Sequence, residues 1–180
     1  MIDKFLRFQK SPLWNALKKV QELILVICGA LCCLIFVIEV LVRYILKIDF
    51  KGYDELVLLF AIWLYFIGGS YATYKKEHIS ADMLNLILKG RPLQVAQTIV
   101  NWVTFLITVI LAIWGVDFFI YALSRTATTT VWRMPQLWSQ SALTVGYILM
   151  ALYEFFYALE NTVFLFETRR GKEGREEGTQ

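Results

Sequence analysis

The sequence predicts an all-α integral membrane protein: four transmembrane helices, an N-terminal interfacial helix, and both termini on the cytoplasmic side. Three observations carry this. Of 180 residues, 58% are hydrophobic and only 18% charged, with a mean hydropathy of +0.55, too apolar for a water-soluble surface to hide. The apolar residues gather in four blocks, each long enough to cross a hydrocarbon core of about 30 Å as a helix rising about 1.5 Å per residue. Basic residues, finally, are divided unevenly among the segments between the blocks. Strands of a barrel would show short alternating runs instead, and none is present.

Residues 1–22 are predicted to be cytoplasmic or interfacial. Ser11-Pro12 supplies a cap and a first-turn proline. Leu13, Trp14, Leu17 and Val20 then recur at helical spacing beside Lys18 and Lys19, as in a helix that rests on a leaflet and runs or bends into the first span. That span, residues 23–46, is uncharged from Leu23 to Ile38. Lys4, Arg7 and Lys10 ahead of it imitate a secretory signal. The apolar run starts too late, however, and leads into Glu39 and Arg43 rather than a cleavage site, so it is expected to be retained. Cys28, Cys32 and Cys33 inside it are small packing residues.

The second span covers 56–74 and is opened by Asp54 and Glu55, acids that suit a helix N-terminus. Beyond it Ile79, Met83, Leu86 and Ile87, followed by Gly90, predict a short surface helix. The third span covers 92–121 and the fourth 138–166, which makes 23–166 one four-span membrane domain. Residues 167–180 form a charged cytoplasmic tail. From Arg169 onward it interleaves four basic residues with three glutamates, a pattern of solvated, partly disordered chain rather than a nucleic-acid surface. No internal repeat is visible, which disfavours an inverted-repeat transporter.

Orientation follows from the charges. Thirteen of the 18 Lys and Arg residues fall on the termini and the Lys75–Arg91 connection, and five fall on the opposite face: Arg43, Lys47, Lys51, Arg125 and Arg133. The positive-inside rule therefore places both termini and the Lys75–Arg91 segment in the cytoplasm. On the opposite face Lys47, Lys51, Arg125 and Arg133 offer either a docking surface for a soluble protein or ordinary interfacial anchoring, helped by Tyr53, Trp132 and Trp138. Lys75, Lys76, Lys89 and Arg91 lie nearest to the anionic heads of membrane phospholipid.

Polar groups inside the spans hold the functional information. Glu39 lies about 24 Å along the first span, one turn from Arg43, where the two can pair. Asp117 falls near the outer interface. Glu154 is the deepest acid, sixteen residues after Trp138 and fifteen before Arg169. No Lys or Arg in any span stands at its depth, so it must be protonated, bond to neutral groups, face water or meet a donor from another chain. Tyr147, Met150, Ala151, Glu154, Tyr157, Ala158 and Asn161 make one polar and aromatic stripe. Gln97, Asn101, Thr104, Thr108 and Gly115 make another on the third span, and Gly68, Gly69 and Ala72 give the second span a small-residue face. Two readings stand for these faces: packing within the bundle, or docking against another membrane protein. Enzyme readings find no inventory. His78 is the only histidine, so there is neither bis-histidine haem ligation nor a histidine-rich metal site, and no nucleophile constellation or phosphate loop accompanies it.

The end of the second span reads Trp63-Leu64-Tyr65-Phe66-Ile67-Gly68-Gly69-Ser70-Tyr71-Ala72, followed by His78-Ile79-Ser80-Ala81-Asp82-Met83-Leu84. Glu55 opens that span, Arg43-Tyr44 closes the first, and Met134-Pro135 and Gly146-Tyr147-Ile148-Leu149-Met150 lead into the last. In this order the motifs resemble the small membrane subunit of tripartite ATP-independent periplasmic (TRAP) transporters, the DctQ-like family, over roughly Leu23 to Phe166. Tyr71 and Lys75-Lys76-Glu77 depart from the small residue and Arg-Gly turn usual there. The resemblance implies a non-catalytic scaffold in the bacterial inner membrane. Its expected partners are a large multi-span permease subunit that carries substrate and Na+, and a periplasmic binding protein that delivers an organic acid; no cofactor is expected in this chain. Partner-interface candidates are Glu154, Tyr147, Tyr157, Asn161, Gln97, Asn101, Thr104, Thr108, Gly68, Gly69, Glu39, Arg43 and Glu55. The competing expectation is a self-sufficient oligomeric, proton-coupled carrier working through Glu154.

Overall fold

The computed structural model describes residues 12–48, 50–75 and 91–176. Four helices account for nearly all of them: α1 (Pro12–Leu41, prolonged by a π-helical turn over Val42–Leu46), α2 (Tyr53–Tyr74), α3 (Arg91–Ser124) and α4 (Leu137–Glu176). Each contains a stretch long and apolar enough to cross a membrane, over Trp14–Leu46, Tyr53–Tyr74, Pro92–Ser124 and Leu137–Val163. The two long spans of 33 residues measure about 50 Å, more than the hydrocarbon core, and so accommodate tilt or project beyond it.

The segment expected to lie at the interface runs into the first span without a break, because nothing between Pro12 and Leu41 interrupts the helix. It also packs inward. Trp14, Gln21, Cys28 and Ile35 are the buried positions of α1 together with Glu39, and the seven-residue interval of the first four keeps a narrow seam on one side of the helix. At the other end of the chain the backbone of α4 continues through Glu176. The start of the charged tail is thus helical rather than disordered, in keeping with the helix propensity of Glu, Lys and Arg. The surface helix expected over 79–87, and His78, lie outside the described residues.

The helices form an open layer: α1 packs on α2, α2 on α4 and α4 on α3. Small residues set these contacts. Gly68 turns toward Leu25 of α1, and Gly69 toward Met150 of α4. At Gly146 a Cβ would stand 2.7 Å from the Phe66 Cβ and 3.0 Å from the Phe66 carbonyl oxygen, so the absence of a side chain lets α4 meet the α2 backbone. Thr144 Oγ1 donates to the Gly115 carbonyl oxygen at 2.9 Å and ties α3 to α4. Trp63 Nε1 donates to the Trp138 carbonyl oxygen at 3.0 Å and ties α2 to α4. In hydrocarbon such close backbone approach and hydrogen bonds are what hold helices together, because lipid tails remove any hydrophobic preference for one helix over another.

Two connections, 47–52 and 125–136, sit at one end of the layer, the loop end; Trp14 and Tyr74 mark the terminal end. Lys47 (φ 52°) ends α1 in the left-handed conformation and Gly52 (φ 89°) begins α2. At Gly52 the left-handed backbone and the neighbouring Trp132 Nε1, 2.7 Å from where a Cβ would be, both demand glycine.

Candidate partner-interface surfaces

One buried polar relay is missed by the sequence reading. Tyr153 donates its hydroxyl to Gln21 Oε1 at 2.9 Å, Gln21 Nε2 donates to Ser70 Oγ at 3.0 Å, and Ser70 donates to the Ile67 carbonyl oxygen at 2.8 Å. Three helices thereby share one relay whose members are almost wholly withdrawn from the surface. Around it Trp14 stands edge-on to Tyr153 and Phe156, with ring centroids 5.1 and 5.4 Å apart, and Tyr74 packs on Tyr153 at 5.6 Å. This cluster draws α1 against α4 at the terminal end. Its sequence signal was the seven-residue interval from Trp14 to Gln21 to Cys28, easily overlooked because an amide at one position of an apolar helix has no partner within its own segment.

The α4 stripe is largely internal. Glu154 is 3% exposed in the chain by itself, so no second protein is needed to withdraw it from lipid. Tyr157 is buried and donates to the Tyr74 carbonyl oxygen. Tyr147 rests against Phe66 with ring centroids 5.4 Å apart, and Asn161 is half-buried. The α3 stripe shows the same tendency. Thr108 is buried and donates to the Thr104 carbonyl oxygen at 2.7 Å. Gln97, Asn101 and Thr104 are half-buried and share the helical face of Gly115, which abuts Leu143 and Thr144 of α4. Gly68 and Gly69, as described above, serve α1 and α4. Of these positions Tyr147, Tyr157, Gly68, Gly69 and Gly115 touch a neighbouring helix, while Thr108 bonds within α3.

At the loop end Glu55 has an intramolecular role. Its two carboxylate oxygens accept the backbone N–H of Val131 at 2.7 Å and of Trp132 at 3.0 Å. Trp132 Nε1 donates to the Gly52 carbonyl oxygen at 3.0 Å, and its ring meets Phe50 at 6.4 Å. The 125–136 connection is braced within itself: Thr129 N–H donates to the Met134 carbonyl oxygen at 2.9 Å, Gln136 N–H to that of Ala127 at 3.0 Å, and Met134 N–H to Thr129 Oγ1 at 3.0 Å. Arg133 adopts a φ of 50° at its tip. The carboxylate of α2 thus grips a structured hairpin more than seventy residues away in the chain.

Glu39 is buried and pairs with Arg43 at 3.7 Å, a loose contact in which the Arg43 side chain is 67% exposed. Such pairs contribute little. Lys47, Lys51, Arg125 and Arg133 are exposed at the loop end; Arg125 lies over the Tyr121 ring, 5.0 Å from its centroid. Lys75, which the sequence places near phospholipid heads, lies over the Tyr71 ring at 5.1 Å; Lys76 and Lys89 lie outside the described residues. Among the described residues no group of three His, Cys, Asp or Glu side chains is arranged to hold a metal ion.

These features amount to a layer of four apolar helices, clasped at one end by a carboxylate and at the other by an amide relay. A comparison with curated proteins gives no match. A family model described as the DctQ component of tripartite ATP-independent periplasmic transporters matches residues 31–163, from the middle of α1 to the last turns of the apolar part of α4. The match covers most of the chain, taking in part of the first span and the other three, and the chain belongs to the DctQ component family of tripartite ATP-independent periplasmic transporters.

Proposed function

We propose that the protein is the scaffold subunit of a sodium-driven importer of an organic acid, sited in the bacterial inner membrane with both termini cytoplasmic. The family is one of transporter components, not enzymes, and implies a complex with a large permease subunit and a periplasmic binding protein. In this reading the large subunit carries substrate and Na+, and the present chain holds it in the bilayer without carrying either. The observation that supports a scaffold most directly is the family match over an open layer of helices. Its polar spans are spent on their own packing, which leaves broad apolar faces for a second membrane protein. The thirteen-to-five division of basic residues supports the orientation, and puts the Glu55-held hairpin and exposed Lys47, Lys51, Arg125 and Arg133 on the periplasmic side, where a binding protein docks.

The test is gentle extraction of the chain from its native membrane with mass analysis of what stays bound, followed by reconstitution. One large hydrophobic partner, and uptake that requires that pair, a soluble periplasmic protein and a sodium gradient, is the expected result. A chain that emerges alone or as a homo-oligomer and transports unaided would instead establish the carrier working through Glu154.

A further inference from the structure

Neighbouring helices hold a register that can be followed from one edge of the layer to the other. Gly29 of α1 faces Leu64 of α2, and Leu25 faces Gly68. Gly146 and Met150 of α4 meet Phe66 and Gly69 of α2. Gly115 of α3 abuts Thr144 of α4, and Trp102 Nε1 donates to Thr162 Oγ1 at 3.0 Å. Carried across the layer, these contacts set Asp117 of α3 level with the Gly29–Leu31 turn of α1.

The charges do not follow that register. Gly29–Leu31 is the middle of the uncharged Leu23–Ile38 run, whereas Asp117 ends the uncharged Pro92–Val116 run and is exposed. In an upright layer its carboxylate would stand in lipid at the depth of the α1 midpoint, although charged side chains belong at the hydrocarbon boundary. Passing over the buried Glu39 and Glu154, the first charged residue met from the middle of each helix toward the loop end is Arg43 on α1, Glu55 on α2 and Asp117 on α3. Toward the terminal end it is Glu22, Lys75 and Arg91, with Glu160 on α4. Referred to one helix axis, both lines fall in the same direction from α1 to α3, by about 21 Å at the loop end and about 28 Å at the terminal end. Three helix spacings separate α1 from α3 by about 27 Å, so the two slopes are roughly 40° and 45°.

We propose that the helix layer stands obliquely in the bilayer, tilted within its own plane by roughly 40°, so that phospholipid headgroups meet it along the Arg43–Glu55–Asp117 and Glu22–Lys75–Glu160–Arg91 lines. The obliquity brings Asp117 to the headgroups and gives a path long enough for the 33-residue spans of α1 and α3. Phe118 and Tyr121, exposed beyond Asp117, then lie in the zone that aromatic side chains favour. This orientation concerns the fold and the bilayer alone and holds whichever protein the chain assembles with.

The experiment attaches a nitroxide to the full chain, reconstituted in phosphatidylethanolamine–phosphatidylglycerol bilayers, at one of four exposed positions taken as two level pairs: Leu34 of α1 with Leu123 of α3, and Val20 of α1 with Ile107 of α3. In an oblique layer the pairs give opposite contrasts. A water-soluble nickel chelate should relax the labels at 123 and 20 at least about threefold more than those at 34 and 107, and oxygen should do the reverse. Equal accessibility within each pair, or the same helix wetter in both pairs, would overturn the proposal. Labelling requires Cys28, Cys32 and Cys33 replaced by Ala, so polarised infrared spectroscopy of the unaltered chain in oriented bilayers is the second measure. A mean helix tilt of roughly 40° is expected, and one at or below about 20°, the ordinary value, would overturn the oblique stance.

Discussion

Replacing Gln21 by Leu tests whether the buried relay fastens α1 to α2 and α4. The substitution preserves volume and helix propensity but deletes the acceptor of the Tyr153 hydroxyl and the donor to Ser70. Ser70 keeps a partner in the Ile67 carbonyl oxygen, so one group is left stranded: the hydroxyl of Tyr153, a side chain with 0% exposure. Stranding a buried donor costs about 1–3 kcal/mol in soluble proteins, and side-chain hydrogen bonds between membrane helices couple by about 0.6 and at most about 1.7 kcal/mol. Gln21→Leu is therefore expected to cost about 1–2 kcal/mol. Tyr153→Phe keeps the ring against Trp14 and Tyr74 and should cost about 1 kcal/mol. The double variant removes both polar partners together and should cost about 1 kcal/mol less than the sum of the singles. The assay is SDS-induced unfolding in mixed micelles followed by far-ultraviolet circular dichroism. Single costs that add to within about 0.3 kcal/mol would refute the relay as a coupled unit, and a stabilising Gln21→Leu would refute it outright.

The glycines offer a graded series by thermal unfolding. Gly146→Ala should cost about 2 kcal/mol because its Cβ meets the Phe66 backbone, whereas Gly68→Ala, facing the end of Leu25 at 3.5 Å, should change stability by less than about 0.5 kcal/mol. Glu55→Ala should accelerate hydrogen exchange at the Val131 and Trp132 amides, which lose their acceptor, and leave the amides in the middle of α3 and α4 unchanged; unaltered protection at 131 and 132 would show that the clamp holds nothing. For the free thiols, a membrane-permeant reagent in mild detergent should label exposed Cys33 before half-buried Cys32 and buried Cys28. The reverse order would mean that α1 turns a different face to α2.

The four spans were legible in the sequence because the bilayer is itself the selector: a segment with no charge over about twenty residues is helical and crosses whatever its neighbours do. The family motifs were legible too, since Glu55, Trp63, Gly68-Gly69 and the Met134–Met150 stretch are read in linear order. Where each helix would stop was less so. The first span extends back to Trp14 because the inward-facing Trp14 and Gln21 continue the seam of α1, although lysines beside them suggested an interfacial surface.

Only the tertiary structure decided what the polar residues face. Glu154 and the Gln97–Thr108 stripe were visible as polar positions, but a helix pattern does not say which neighbour a face meets, and in hydrocarbon no strong amphipathic signal points inward. The packing of α2 on α4 and of α4 on α3 depends on close approaches at Gly146, Gly69 and Gly115, where a side chain would meet the neighbouring helix. Glu55 satisfied a helix N-terminus in sequence, while its actual partners are backbone amides that the fold brings from the far connection. The sequence by itself thus determined which segments enter the membrane, because solvent chemistry is read residue by residue. The fold determined which of their polar atoms are already spent, because that depends on short-range geometry between distant parts of the chain.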